Sequence, residues 1–92
     1  MGRRPLSDYR IKTKKLFEKD LERVARRDSV LAERVNRRIA KLAVNPKHHG
    51  YHAGGAIRCN WVAGVGDWAL VYEVIDAERE VILLRLLSLD EV

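Results

Sequence analysis

The chain has 92 residues, 47% apolar and 34% charged, which bounds it to one small domain, residues 1–92, built on a single core. No apolar run approaches the ~18–20 residues of a membrane span, and the Met1-Gly-Arg-Arg-Pro start lacks the hydrophobic stretch of a secretion signal, so a cytoplasmic chain with no membrane partner is expected. Its one cysteine, Cys59, excludes an intramolecular disulfide and a thiolate zinc cluster and is expected to be a small buried hydrophobe.

The net charge of +5 is unevenly spread. Residues 1–50 hold 15 Lys/Arg against 6 Asp/Glu, or +9, and residues 51–92 hold 3 against 7, or −4. The basic half suits RNA, DNA or an acidic protein; its alternative reading is a set of solvated helix faces.

Residues 6–12 alternate apolar and polar around Tyr9 and Ile11, the period-two pattern of a short strand. Thr13 stands where an N-cap belongs, and Leu16, Phe17, Leu21, Val24 and Ala25 form a helical stripe over 14–27. Asp28 and Ser29 offer the next cap. Leu31, Val35, Ile39 and Leu42 then repeat the stripe until Asn45-Pro46, which ends a second helix near Val44. Arg34, Arg37, Arg38 and Lys41 fall on one outer face of that helix, with Glu33 alone nearby to neutralise them.

Residues 47–55 read as a loop containing all three histidines, His48, His49 and His52. Their spacing in a glycine-rich loop, without a fixed carboxylate, argues against a metal site. Ile57, Cys59 and Trp61 alternate as a second strand, Gly64-Val65-Gly66 reads as a long turn, Trp68 to Ile75 as a third strand, and Val81 to Leu87 as a central strand covered on both faces. The order is β-α-α-β-β-β, an α+β chain. Neither a phosphate-binding glycine loop nor a Ser-His-Asp arrangement is present.

The Leu42-x-x-Asn45-Pro46 stop, His52-x-x-Gly55, the Asp67-Trp68-Ala69-Leu70-Val71-Tyr72 strand and Arg85 in the last strand, taken in order, resemble the RelE/ParE toxin superfamily of toxin–antitoxin systems, and within it the YafQ branch most. The resemblance runs from Tyr9 to the C-terminus. It implies a RelE-like microbial RNase fold: a twisted antiparallel sheet with two N-terminal helices on one face and a concave opposite face for messenger RNA. The implied function is a ribosome-dependent, metal-independent mRNA endonuclease needing no cofactor. Its implied partners are an antitoxin, the ribosome with its mRNA, and operator DNA through the antitoxin complex.

Cutting RNA by transesterification needs a base for the 2′-hydroxyl, a group to stabilise the phosphorane, and an acid for the leaving oxygen. The resemblance places His52 and Asp67 as acid/base candidates, Arg85 as the phosphate clamp, Arg58 as a second phosphate candidate and Trp68 as a stacking platform, while the basic face of Arg34, Arg37, Arg38 and Lys41, with His49, is the candidate RNA contact read from charge. The residues alone leave His52 as a solvated loop histidine, Asp67 as a turn aspartate and Trp68 as a half-buried strand aromatic. Bottom-up, a guanidinium inside Val81-Ile-Leu-Leu-Arg-Leu-Leu87 is expected either to emerge at a polar cleft on the concave side with Arg58, or to pair with Glu73. The nuclease branches usually follow the last strand with Gly-x-His and an aromatic, or a tyrosine; here Leu87-Ser88-Leu89-Asp90-Glu91-Val92 stands instead, and the YafQ branch's strand histidine is also absent. Cleavage would use a reduced set. The alternatives are a ParE-like gyrase-binding toxin and a degenerate relative that binds only antitoxin or DNA.

Overall fold

Alternation at the start of the chain does produce a strand, β1 (Arg10–Thr13), in the computed structural model, which describes residues 8–52 and 60–91. The start of the expected first strand, and Ile57, Arg58 and Cys59 of the second, lie outside the described residues. Thr13 closes β1 and is not the helix cap; Lys14 holds that position without a side-chain cap bond, while the Thr13 hydroxyl donates to the Glu18 carboxylate.

Helix α1 (Lys15–Arg27) buries Phe17, Asp20 and Val24. Leu16, one position out of phase and so about 100° round the helix, is instead 56% exposed. Asp28 ends α1 and caps α2 (Ser29–Val44), its Oδ1 accepting the Leu31 amide at 3.0 Å, as Asp28 and Ser29 suggested. Leu31, Ala32, Val35 and Leu42 form the buried stripe of α2, which stops before Asn45-Pro46 as expected. No helix among the described residues is long and apolar enough to cross a membrane.

Two residues of the expected loop form a strand, β2 (Tyr51–His52), paired with Val62 and Trp61. Strand β3 (Trp61–Val65) runs through Gly64, so the glycine read as a turn residue is a strand residue, with nothing within 4 Å of where a Cβ would stand. The turn is Gly66-Asp67, not a long one. Gly66 has φ +60° at the first central position of this two-residue hairpin, the conformation a type II′ turn takes from glycine. Strands β4 (Trp68–Ile75) and β5 (Glu80–Ser88) follow, then a 3-10 turn (Leu89–Glu91).

The sheet order is β1-β5-β4-β3-β2, antiparallel except for the parallel β1–β5 pair. Both helices pack on one face, where Phe17, Val24, Leu31, Val35 and Leu42 meet Ala63, Val65, Leu70, Tyr72, Val81, Leu83 and Leu86 in one core. Opposite Val71 and Tyr72 the register of β5 jumps from Arg85 to Leu83, leaving Leu84 as the extra residue of a bulge.

Candidate functional site

Strand β1 pairs with β5 only as far as Thr13 opposite Leu83, so the stretch of β5 that follows lacks a strand on that side. Asp20 of α1 takes up the vacancy. Its Oδ2 accepts the Leu86 amide at 2.9 Å and Arg85 Nε at 2.8 Å; its Oδ1 accepts Arg85 Nη2 at 3.2 Å and Arg23 Nη2 at 3.1 Å. Four donors fill the four acceptor positions of a carboxylate that is only 4% exposed. Burial pushes its pKa up, but the Arg85 hydrogen bond, the Leu86 amide and the charges of Arg85 and Arg23 outweigh burial and hold it below the usual carboxylate value.

This corrects the expectation for Arg85. Its carboxylate partner among the described residues is Asp20 and not Glu73, and the side chain turns to α1 on the helix side of the sheet. Asp20 was legible as a core-facing residue, because it falls between Phe17 and Val24 on the buried stripe; read by charge alone, it passes for one of the acids diluting a basic helix.

Beside this pair lies a cleft of about 510 Å³, walled by Arg23 and Arg27 of α1, Asp28, Trp68 at the start of β4, and Arg85 and Ser88 of β5. Trp68 and Ser88 are register partners, and the Asp67 carbonyl accepts the Leu89 amide at 2.8 Å, so Asp67, Trp68 and Arg85 are gathered at one end of the sheet. Three guanidiniums and a half-buried indole thus share one concavity.

His52 is elsewhere. It pairs with Trp61, its ring edge-on to that indole at 5.3 Å, and Trp61 pairs in turn with Tyr72. Tyr72 lies four positions along β4 from Trp68, about 13 Å of strand. His49 sits in the loop after α2, where its carbonyl accepts Arg38 Nη1 at 3.2 Å; desolvation, then the charges of His48, Lys41 and Arg38, lower its pKa. Arg34, Arg37, Arg38 and Lys41 do meet, in a second, smaller groove of about 160 Å³ against Val65 and Gly66. Arg37 also reaches Glu33 at 3.5 Å. Among the described residues no three His, Cys, Asp or Glu side chains gather to hold a metal ion.

A family model described as the ParE toxin of type II toxin–antitoxin systems, parDE, matches residues 11–91. The chain belongs to the ParE toxin family. No curated protein sequence matches it. Among solved structures, this toxin is similar to the RelBE2 toxin–antitoxin complex of Mycobacterium tuberculosis, with a TM-score of 0.76 and 22% identity over 88% of this chain and 98% of that one. A conserved hypothetical protein of Helicobacter pylori is 31% identical, with a TM-score of 0.65 over 87% and 93%. YafQ of Escherichia coli gives 0.66 and 16% over 90% and 96%. The two under a quarter identical support the fold, a RelE-like sheet with two helices on one face.

Proposed function

We propose that this toxin arrests growth by cleaving messenger RNA on the ribosome, with the substrate held in the cleft of Trp68 and Arg85. The observation that carries this reading is the meeting of an aromatic face with three guanidiniums in one concavity, the pairing of base-stacking surface and phosphate donors that single-stranded nucleic acid requires. In the step itself the 2′-oxygen loses its proton, attacks phosphorus and expels the 5′-oxygen, which takes up a proton; the products are a cyclic phosphate and a free 5′-hydroxyl. Arg85 answers the charge on the phosphorane, and Asp67, beside Trp68 in the turn between β3 and β4, is the acid/base candidate. His52, on β2, lies three strands across the sheet from Arg85, about 14 Å, and is given no part in this step. An antitoxin is the expected partner, since structural neighbours such as RelBE2 are toxin–antitoxin complexes.

Primer extension on a translated message after induction tests this. New 5′-ends inside the translated region are expected, and absent from an untranslated copy of the same message. A second reading, a toxin that binds gyrase without cutting RNA, is favoured by one feature: among the described residues the cleft contains no histidine. Gyrase-dependent DNA breaks with intact messages would establish it.

A further inference from the structure

The outer face of α2 carries Arg34, Arg37, Arg38 and Lys41 at positions i, i+3, i+4 and i+7, so the four cations line one side of the helix over about 10 Å. Against Val65 and Gly66 of the β3–β4 hairpin they wall the groove of about 160 Å³. Little answers this charge. Glu33 reaches Arg37 at 3.5 Å with both side chains mostly in solvent, and Arg38 gives one N–H to the neutral His49 carbonyl. Neither Arg34 nor Lys41 has a carboxylate within ion-pair distance among the described residues. Like charges held side by side repel, and a polyanion laid along the helix relieves that repulsion.

The groove is also ordered and offers little apolar surface. A Cβ at Gly66 would stand 3.3 Å from Arg34 Nη1 and 3.8 Å from its Cζ, so the guanidinium lies against the hairpin instead of trailing in solvent. The floor there is bare backbone, which lets a second backbone come close. Val65, its apolar lining residue, is 4% exposed. A stable protein partner needs an apolar or aromatic anchor at the centre of its interface, and the described lining of this groove supplies none. Phosphate needs only charge and N–H donors, and three of the four cations are arginines, whose planar fork meets two phosphoryl oxygens at once.

One difference from the cleft separates the ligands of the two sites. Trp68 gives the cleft a stacking surface for an unpaired base, whereas the α2 groove has no aromatic side chain in its described lining. A row of cations without a stacking surface suits a nucleic acid whose bases are already paired and whose phosphates face outward. Gly66 and Trp68 stand two residues apart, so the two sites flank one hairpin.

We propose that the α2 groove is a second nucleic-acid site, docking the phosphate backbone of an RNA duplex while the cleft holds single-stranded message. The choice of RNA rests on the message-cleaving reading of the cleft; the groove stands on its own residues. A message lying beside helical RNA is then gripped at both sites, and a free single strand at one.

The test is fluorescence anisotropy with the full chain, titrated into a labelled RNA duplex of about 12 base pairs and, separately, a labelled single strand of the same length, at several salt concentrations. Arg34→Ala with Lys41→Ala should weaken duplex binding about tenfold and lower the slope of log affinity against log salt by about two, leaving single-strand binding within about twofold. Lys15→Ala with Lys19→Ala, the same charge change on the exposed side of α1, should alter neither. All four side chains are exposed, so both variants should melt within a few degrees of the wild type. On the wild type, an unlabelled single strand at a concentration that saturates the cleft should leave the labelled duplex bound. A wild type that binds the single strand and not the duplex, duplex binding unchanged in the Arg34/Lys41 variant, or full displacement by the single strand overturns this inference alone. So does tighter binding of a DNA duplex of the same sequence or of a Glu-rich peptide. A wild type that binds neither RNA, with messages intact after induction, overturns both it and the reading of the cleft.

Discussion

The hydroxyl of Tyr72 donates a 2.6 Å hydrogen bond to the carbonyl of Pro46, tying the middle of β4 to the turn that ends α2. Both residues are fully buried, so this carbonyl has no water to fall back on. Tyr72→Phe should therefore lower stability by about 1–3 kcal/mol, the range for orphaning a buried acceptor. Gly50 packs against the same hydroxyl: a Cβ there would stand 2.1 Å from Tyr72 Oη and 2.8 Å from the Val62 carbonyl oxygen. Gly50→Ala should be destabilising, and less so in the Tyr72→Phe background because one of the two clashing oxygens is gone. Chemical denaturation of the two single variants and the double checks this; additive losses would mean that the two residues do not share the space.

Much of the frame could be read from the chain because its signals are local. Asn45-Pro46 stops α2, and the apolar run of β4 begins and ends where the residues change character. Other features depend on partners distant in sequence. The two residues of β2 are too short for any period to show, and are a strand only because Trp61 and Val62 lie beside them. Gly64 and Gly66 look alike in sequence, yet one sits in an open strand and the other supplies a positive φ. In the candidate site, Trp68, Asp67 and Arg85, singled out from the sequence, are brought to one end of the sheet, though Arg85 turns to Asp20, a partner that no local pattern announces. His52 was expected among them and is not, because where a loop histidine lands depends on which strand the loop joins.

Acid should weaken the fold below about pH 4, and the sign follows from three carboxylates. Asp20, Asp76 and Glu80 all have pKa values held below the ordinary ones: Asp20 by Arg85, the Leu86 amide and Arg23 against the opposing effect of burial, Asp76 by the Lys47 and Tyr9 hydrogen bonds, and Glu80 by Lys12 and then Arg10. A depressed pKa contributes stability that is complete above the unfolded value, near 3.8 for Asp and 4.5 for Glu, and is lost as pH falls through the folded one. Thermal melts across this range should show the fall, and Asp20→Asn should flatten it.

At the alkaline end the sign reverses. Burial pushes the Tyr72 phenol up to about 12 from 10.0, so the folded chain keeps a proton that the unfolded chain releases. Its contribution is complete below pH 10 and declines between pH 10 and 12. Denaturation midpoints followed over that interval should drop further for the wild type than for Tyr72→Phe, which has nothing to ionise.

The α2 groove separates surface charge from structure within one helix. Arg34 and Arg37 are exposed, and the ion pair of Arg37 with Glu33 is a surface contact of a kind worth little. Arg34→Glu with Arg37→Glu should leave the melting temperature within a few degrees while reducing RNA affinity and its salt dependence. Arg38→Glu forfeits the bond to the His49 carbonyl as well and should melt measurably lower. Equal melting for the two variants would show that the Arg38 contact does not hold the histidine loop.

Arg85 is tied into the fold through Asp20 and is proposed to hold the substrate phosphate, so its variants have to be read on both scales. Truncating one partner of a buried ion pair leaves the other charge poorly compensated, a loss of about 3–5 kcal/mol when both groups are buried. Arg85 is 38% exposed and Asp20 keeps the Leu86 amide and Arg23, which puts Arg85→Ala toward or below the lower end of that range. At about 4–8 °C per kcal/mol for a domain of this size, a melting temperature lowered by roughly 10–20 °C is expected. Loss of growth arrest by Arg85→Ala alone would then reflect unfolding as much as a missing phosphate contact. Arg85→Lys resolves the two. Lysine keeps the positive charge beside Asp20 and most of the melting temperature, but lacks the planar fork that donates through Nε and Nη2 to one carboxylate and matches a phosphate's paired oxygens. A variant that melts close to wild type yet fails to arrest growth assigns Arg85 to the substrate. One that regains toxicity along with its melting temperature assigns it to the fold.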